Sequence, residues 1–292
     1  MKNLIEIENV SKHYGTKKVL EGIDLVVPRG QIVALLGENG AGKTTLINLI
    51  NHLAQPSAGK ITVELAQARI GVMLQSNITL DRVTVREALN LARSYYQKSL
   101  PYVELLRLAD LAAQEAVLTQ KLSGGQKRRL TFALAMAGDP ELIFLDEPTT
   151  GMDAERREAF WQEITRLQAR GKTFFITSHY LEELENIATR LILLTQHQIG
   201  FDGTLSELRA QNVATEIHFN FDGDLSALTE LASVKKTGNF YTLTTNDTNA
   251  LVTQLVPYFA HGLTNLTIQQ NSLDNLFKNL VENQDVKPTV LK

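Results

Sequence analysis

The stretch QIVALLGENGAGKTTLINLI, residues 31–50, decides the fold. Its first part is apolar without alternation, as in a strand buried on both faces. Helical spacing takes over from Thr44. Between them, Gly37, Glu38, Asn39, Gly40, Ala41, Gly42, Lys43 and Thr44 match the pattern G-x-x-x-x-G-K-[ST], and Thr45 closes the loop. A strand before the loop and a helix after it is the context in which this pattern holds phosphate. The glycines let backbone amides approach phosphate oxygens, Lys43 reaches the β- and γ-phosphates, and Thr44 offers a hydroxyl to Mg²⁺.

Strand patterns lie on both sides of this loop. LIEIENV alternates, KVLEGIDLVV is a second strand, and KITVEL and RIGVML follow. Thr84 with Glu87 three residues later marks a capping box ahead of an amphipathic run to Tyr96. Helical spacing also fills residues 102–115, 127–137, 154–169 and 181–189. Buried strands LIFL, TFFIT and RLILL separate the later helices. Strands alternating with helices predict an α/β domain with a mainly parallel sheet.

Residues 142–147, LIFLDE, form a buried strand ending in two carboxylates. Downstream of a phosphate loop, Asp146 is placed to hold Mg²⁺. Neighbouring side chains leave a strand in opposite directions, which frees Glu147 to orient the attacking water. Further upstream, Ser123-Gly124-Gly125-Gln126 precedes a helical run. A hydroxyl, two glycines and free amides at a helix start describe a second anion grip. The adjoining Lys127-Arg128-Arg129 reads equally well as a solvated face or as a phosphate contact.

In their order, residues 37–45, the LSGGQ of 122–126 and residues 142–147 resemble the ATP-binding cassette (ABC) ATPases, over about residues 1–210. The resemblance implies a P-loop NTPase cassette with a helical subdomain at about 76–135 and an antiparallel β edge. It implies ATP and Mg²⁺ as cofactors. It makes Glu147, His179 and Gln75 catalytic, adds Gln75 to Thr44 and Asp146 as metal-binding residues, and places Tyr14 against adenine. Gly151-Met152-Asp153 matches the D-loop, so Asp153 joins the nucleotide site. It also answers why one chain carries two grips: Ser123 and the amides of Gly124 and Gly125 close over ATP held by the P-loop of a second ATPase subunit, in a dimer expected to be a homodimer. Met152 stands where the family usually has leucine, and Glu38 where proline is common.

Single copies of the P-loop and LSGGQ, fewer than fifty residues from Gln75 to LSGGQ, and no coiled-coil heptads favour a transporter subunit. The alternatives are a soluble non-transport relative and an importer ATPase. The segment GMDAERREAFWQEI, an IGFDGT turn and the tail NSLDNLFKNLVEN resemble exporter ATPases of the multidrug, antibiotic and lantibiotic-immunity type. No apolar run approaches the ~18 residues that span a bilayer, so the permease is expected to be a separate polypeptide. The N-terminus has no signal-peptide hydrophobic region and the chain has no cysteine. A cytoplasmic protein, peripheral on the inner face of the cell membrane, is expected.

The net charge of −3 argues against a nucleic-acid partner. His13, His52, His197, His218 and His261 form no ligand spacing, so no metal beyond Mg²⁺ is expected. From Val213 onward the chain has five Lys and no Arg against eight Asp and Glu. That shift predicts a cassette over 1–211 and a C-terminal domain over 212–292. The tail reads β-α-β-β-α-β, the ferredoxin-like split βαβ order, followed by a helix in which Leu276, Phe277 and Leu280 supply apolar positions.

Overall fold

The chain opens with two long strands, β1 (Asn3–Tyr14) and β2 (Lys17–Pro28), which pair antiparallel. The computed structural model describes residues 3–75, 80–178, 181–211, 215–225 and 232–270. Strand β4 (Ala58–Val63) joins the free edge of β1, giving a three-stranded antiparallel sheet in the order β2-β1-β4.

The main sheet is built around β3 (Ile32–Gly37), whose residues 32–36 are all buried. Helix α1 (Lys43–Ile50) follows it. Strands β5 (Ile70–Met73), β6 (Leu142–Asp146), β7 (Thr173–Thr177), β8 (Arg190–Thr195) and β9 (Gln198–Gly203) complete six strands in the order β5-β6-β7-β3-β8-β9. All neighbours are parallel except β8 and β9. One buried cluster joins Ile5, Ile7 and Val10 of β1, Leu20 and Ile23 of β2, Val33 and Leu35 of β3, Leu46 and Leu49 of α1 and Phe144 of β6. The apolar stripe of α1 is thus shared by both sheets, each such side chain contributing about 1.5–3 kcal/mol.

Between β5 and β6 lie α2 (Val85–Ser94), α3 (Tyr102–Ala109) and α4 (Gly124–Ala135). The Thr84–Glu87 capping box forms as read, with both reciprocal bonds present. Helix α3 is shorter than the expected 102–115, because Asp110 adopts φ +48 and closes it; a 3-10 turn over Ala112–Gln114 follows. Helix α5 (Ala154–Ala169) matches its expected span, whereas α6 (Leu181–Glu185) stops short of residue 189.

The IGFDGT segment, expected to be a turn, lies largely in β9, paired with β8. The reversal sits earlier, at Gln196 (φ +46) and His197 (φ +70), the two positive φ values of a type I′ hairpin. Arg190 fixes the pairing by bonding both oxygens of Asp202 at 2.6 Å.

The described chain divides into two compact units, one ending at Gly203 and one beginning at Thr204. The second holds α7 (Leu205–Gln211), β10 (Thr215–Asn220), β11 (Ser233–Thr237), β12 (Phe240–Thr245), α8 (Thr248–Phe259) and β13 (Thr264–Gln270). Its strands are antiparallel in the order β11-β12-β10-β13, the central strands flanked as in a split βαβ unit. Ile217, Phe219, Tyr241, Leu243, Leu251 and Leu255 form its core. Most of the first helix expected in the β-α-β-β-α-β order of the tail, DLSALTELA at 224–232, and the last helix with Leu276, Phe277 and Leu280, lie outside the described residues. Among the described residues no helix is long and apolar enough to cross a membrane.

Candidate functional site

The parallel strands β3, β6 and β7 end side by side, and ligands of open α/β sheets bind at that edge. The loop after β3 needs glycine at 42, where φ is +109 and a Cβ would lie 2.7 Å from Leu20 Cδ2 and 2.9 Å from the Val19 carbonyl. Helix α1 then starts with no side-chain cap and no acidic residue in its first turn. Its first amides and the positive end of its dipole are therefore available to an anion. Glu38, Asn39 and Gly40 are exposed, as is Thr44, while Gly37, Ala41, Lys43 and Thr45 are half-buried.

Lys43 Nζ donates to the carbonyls of Gly37 at 2.7 Å and Glu38 at 3.0 Å. Burial pushes its pKa down, and the charges of Glu147 and Asp146 oppose that shift. The ammonium therefore sits in the field of both carboxylates. Asp146 and Thr177 are in register across β6 and β7, and the Thr177 hydroxyl donates to the Asp146 carboxylate. Uncapped amides, an ammonium and hard oxygen donors in one place fit a triphosphate with a hard divalent cation.

Glu147 is buried and adopts φ +54, the left-handed region that side chains other than glycine rarely take. Its amide donates to the Thr177 carbonyl at 3.1 Å. Its carbonyl accepts from Arg128 Nε at 3.0 Å and Nη2 at 2.7 Å. Arg128 also donates through Nη1 to the carbonyls of Leu74 at 2.7 Å and Gln75 at 2.8 Å, and through Nη2 to that of Asp146. The Gln75 side chain itself is exposed.

Neither reading of the 127–129 basic run survives for its two arginines. Arg128 is 1 % exposed and Arg129 7 %. Arg129 turns to the Ala109 and Asp110 carbonyls at 3.1 and 3.3 Å, with the Asp110 carboxylate at 3.5 Å. Burial lowers both guanidinium pKa values, against the pull of nearby carboxylates. Partners 18 to 54 residues away create this burial, and a charge run read locally gives no sign of them.

Ser123 caps α4: its hydroxyl accepts from the Gln126 amide at 3.3 Å, and the Gln126 side chain accepts from the Ser123 amide at 2.9 Å. Gly124 is exposed and Gly125 is buried. A Cβ on Gly125 would lie 2.9 Å from the Gly151 carbonyl, so this helix start packs directly on the loop before α5. A recess of about 160 Å³ opens there between Ser123, Gln126, Arg129, Met152, Asp153 and Arg156. Asp153 caps α5, accepting from the Arg156 amide at 3.0 Å. The bonds from Arg156 hold the Asp153 carboxyl below its usual range.

The structure thus gathers two groups. Lys43, Asp146, Glu147 and, through Arg128, the Gln75 backbone form one; Ser123, Gly125, Gln126 and Asp153 form the other. Among the described residues no hydrogen bond joins residues 123–126 to residues 37–45. Tyr14, 52 % exposed at the β1–β2 turn, has the Lys12 ammonium 4.8 Å from its ring centroid. His179 lies outside the described residues.

Residues 20–150 match the family model described as ABC transporter. The chain is 38% identical over 245 residues to the Nod factor export ATP-binding protein I of Rhizobium meliloti (strain 1021), covering 78% of this chain and 72% of that one. It is 36% identical over 238 residues to the protein of the same name from Paraburkholderia xenovorans (strain LB400), covering 77% and 78%. Among solved structures it is similar to an ATP binding subunit of an ABC transporter, with TM-score 0.65, 28% identity, and 72% of this chain and 93% of that one covered. A dimeric bacterial ABC transporter cassette gives TM-score 0.62 at 25% identity, covering 69% and 98%.

Proposed function

The chain belongs to the ATP-binding subunits of the ABC transporter family, and from that premise we propose that two copies close around two ATP molecules to drive a separate permease in the direction of export. ATP hydrolysis comes with the family. That no hydrogen bond among the described residues joins the two phosphate grips within one chain supports the dimer reading. A similar cassette that is itself dimeric supports it, and relatives named for export support the direction. We place the chain on the cytoplasmic face of the membrane, bound to its permease, with a drug, peptide or other small molecule as cargo and no nucleic-acid partner.

In this reading Tyr14 stacks on adenine, and residues 37–45 wrap the phosphates. Lys43 exchanges the carbonyls of Gly37 and Glu38 for β- and γ-phosphate oxygens. Thr44, Asp146 and Gln75 would hold Mg²⁺, which would supply charge neutralisation to the phosphates. Glu147 orients a water in line with the γ-phosphorus and takes its proton as the new P–O bond forms and the bridging bond breaks, leaving ADP and phosphate. His179 contacts the γ-phosphate. Ser123, with the amides of Gly124 and Gly125, closes on the ATP held by the other copy, and Gln126 and Asp153 line that contact. The chemistry needs positioning and charge stabilisation, with no covalent intermediate.

Mixing two inactive chains tests the shared site. Lys43→Ala removes one grip and Ser123→Arg the other, so a mixed dimer keeps one site with both grips intact. ATPase activity returning on mixing supports the reading. Ser123→Arg monomers that no longer bind ATP would put the serine in its own chain's site and overturn it.

A further inference from the structure

We infer that Arg128 is a positioning residue for hydrolysis, the link through which α4 couples the ATP gripped by its own N-terminus to Glu147 and Gln75 of the same chain. The inference rests on the shared-site reading and extends it from binding to timing.

A guanidinium has five donors in a rigid planar fork and does not lose its charge in proteins. In Arg128 this fork is fully buried, and its described hydrogen bonds all go to backbone carbonyls. Those carbonyls come from two segments: Leu74 and Gln75 after β5, and Asp146 at the end of β6 with Glu147 just beyond it. Holding a buried charge on carbonyls alone is costly, and an apolar side chain would fill the space without that cost. The fork does what an apolar group cannot, which is to fix two loop ends in one frame.

The Glu147 backbone shows the result. Its left-handed φ of +54 is held from both sides, by Thr177 at the amide and by Arg128 at the carbonyl. Backbone strain of this kind persists where the surroundings over-determine it, and it clusters at functional sites. The direction of the Glu147 carboxylate therefore depends on where the guanidinium sits. Ser123 and Arg128 ride on one helix, five residues and about 7.5 Å of axial rise apart. A shift of the α4 N-terminus as it closes on ATP carries the fork, and both loop ends, with it.

Lysine keeps the charge at position 128 but offers one donor centre, which cannot span four carbonyls. For the full-length Arg128→Lys chain we expect monomer affinity for a fluorescent ATP analogue within about twofold of the parent. We expect kcat to fall by about tenfold or more, KM to change little, and the Hill coefficient for ATP hydrolysis to fall towards one. A fall of that size is about 1.4 kcal/mol in the barrier. Arg128→Gln should fall further than Arg128→Lys.

ATP-induced dimerisation of Glu147→Gln chains, with and without Arg128→Lys, runs alongside. If the Glu147→Gln parent does not dimerise, the shared-site reading falls and the coupling with it. If it dimerises while Arg128→Lys keeps parental kcat and cooperativity, the coupling alone falls. Should Arg128→Lys fail to fold, hydrogen exchange with a non-hydrolysable ATP analogue decides. Amides at 74–75 and 146–147 gain protection in the unsubstituted chain and gain less in Ser123→Arg, where closure is blocked; equal gains overturn the coupling.

Discussion

The indole nitrogen of Trp161 donates to the Glu183 carboxylate at 2.8 Å, and the Thr149 hydroxyl donates to the same oxygen at 3.0 Å. Arg157 Nε meets the other oxygen at 3.1 Å. One carboxylate thus ties α6 to α5 and to the loop after β6. Trp161→Phe leaves part of a half-buried carboxylate without its donor, which costs roughly 1–3 kcal/mol. Urea unfolding should show that loss while monomer ATP affinity stays within about twofold. Unchanged stability would mean the contact contributes nothing. Trp161 is the sole tryptophan, so the parental transition is readable from its emission.

Glu147→Gln separates binding from turnover. Asp146 keeps its carboxylate and the Arg128 clamp on the 147 carbonyl is untouched. We expect ATP to bind, hydrolysis to drop by about a hundredfold or more, and a dimer to accumulate in size-exclusion chromatography with ATP. Near-parental turnover would remove Glu147 from its proposed role.

Gly125→Ala tests the contact between the α4 start and the Gly151 carbonyl. At 2.9 Å the new methyl meets backbone, which cannot rotate away. The helix start must shift, and misplacement on the ångström scale costs roughly a hundredfold in catalysis. Turnover should fall that far with monomer ATP affinity retained.

An ion cluster joins α3 to α5. Arg107 bonds Glu104 at 2.9 and 2.8 Å and Glu163 at 3.1 and 3.0 Å, and Arg166 reaches both carboxylates. The hydrogen bond and charge of Arg107 hold the Glu104 carboxyl down, from 4.5 to about 2. A carboxyl depressed in the folded state stabilises above its unfolded pKa and loses that contribution as pH falls towards its folded value. The Tm gap between parent and Glu104→Gln should therefore hold steady from neutral pH to about 5 and shrink below it. Solvent screening limits the pair to about 1 kcal/mol. A gap that widens on acidification would reverse the sign of this argument.

What the sequence made legible is what short-range backbone chemistry writes. Thr84 with Glu87 and Ser123 with Gln126 announce helix starts because each side chain bonds the other's backbone within one turn. The unbroken apolar runs of β3, β6 and β7 declare their double burial. Distant partners hid the rest. Arg128 and Arg129 carry no local mark of the carbonyls that enclose them. Strand β9 was misread because its hairpin turns at Gln196-His197, without the Asn-Gly or Asp-Gly pair that usually signals such a turn.

Strand β3 has a consequence for the order in which the protein is made. Its hydrogen-bond partners are β7 and β8, and both leave the ribosome more than 130 residues after it. Pairings this distant in sequence form late, once the intervening chain can close. During synthesis the phosphate loop is therefore among the first motifs to emerge and among the last to take shape. A chain halted before Arg190 carries every residue of that loop on a strand that lacks one of its two neighbours. Such a chain is expected to bind a fluorescent ATP analogue far more weakly than one translated through β8.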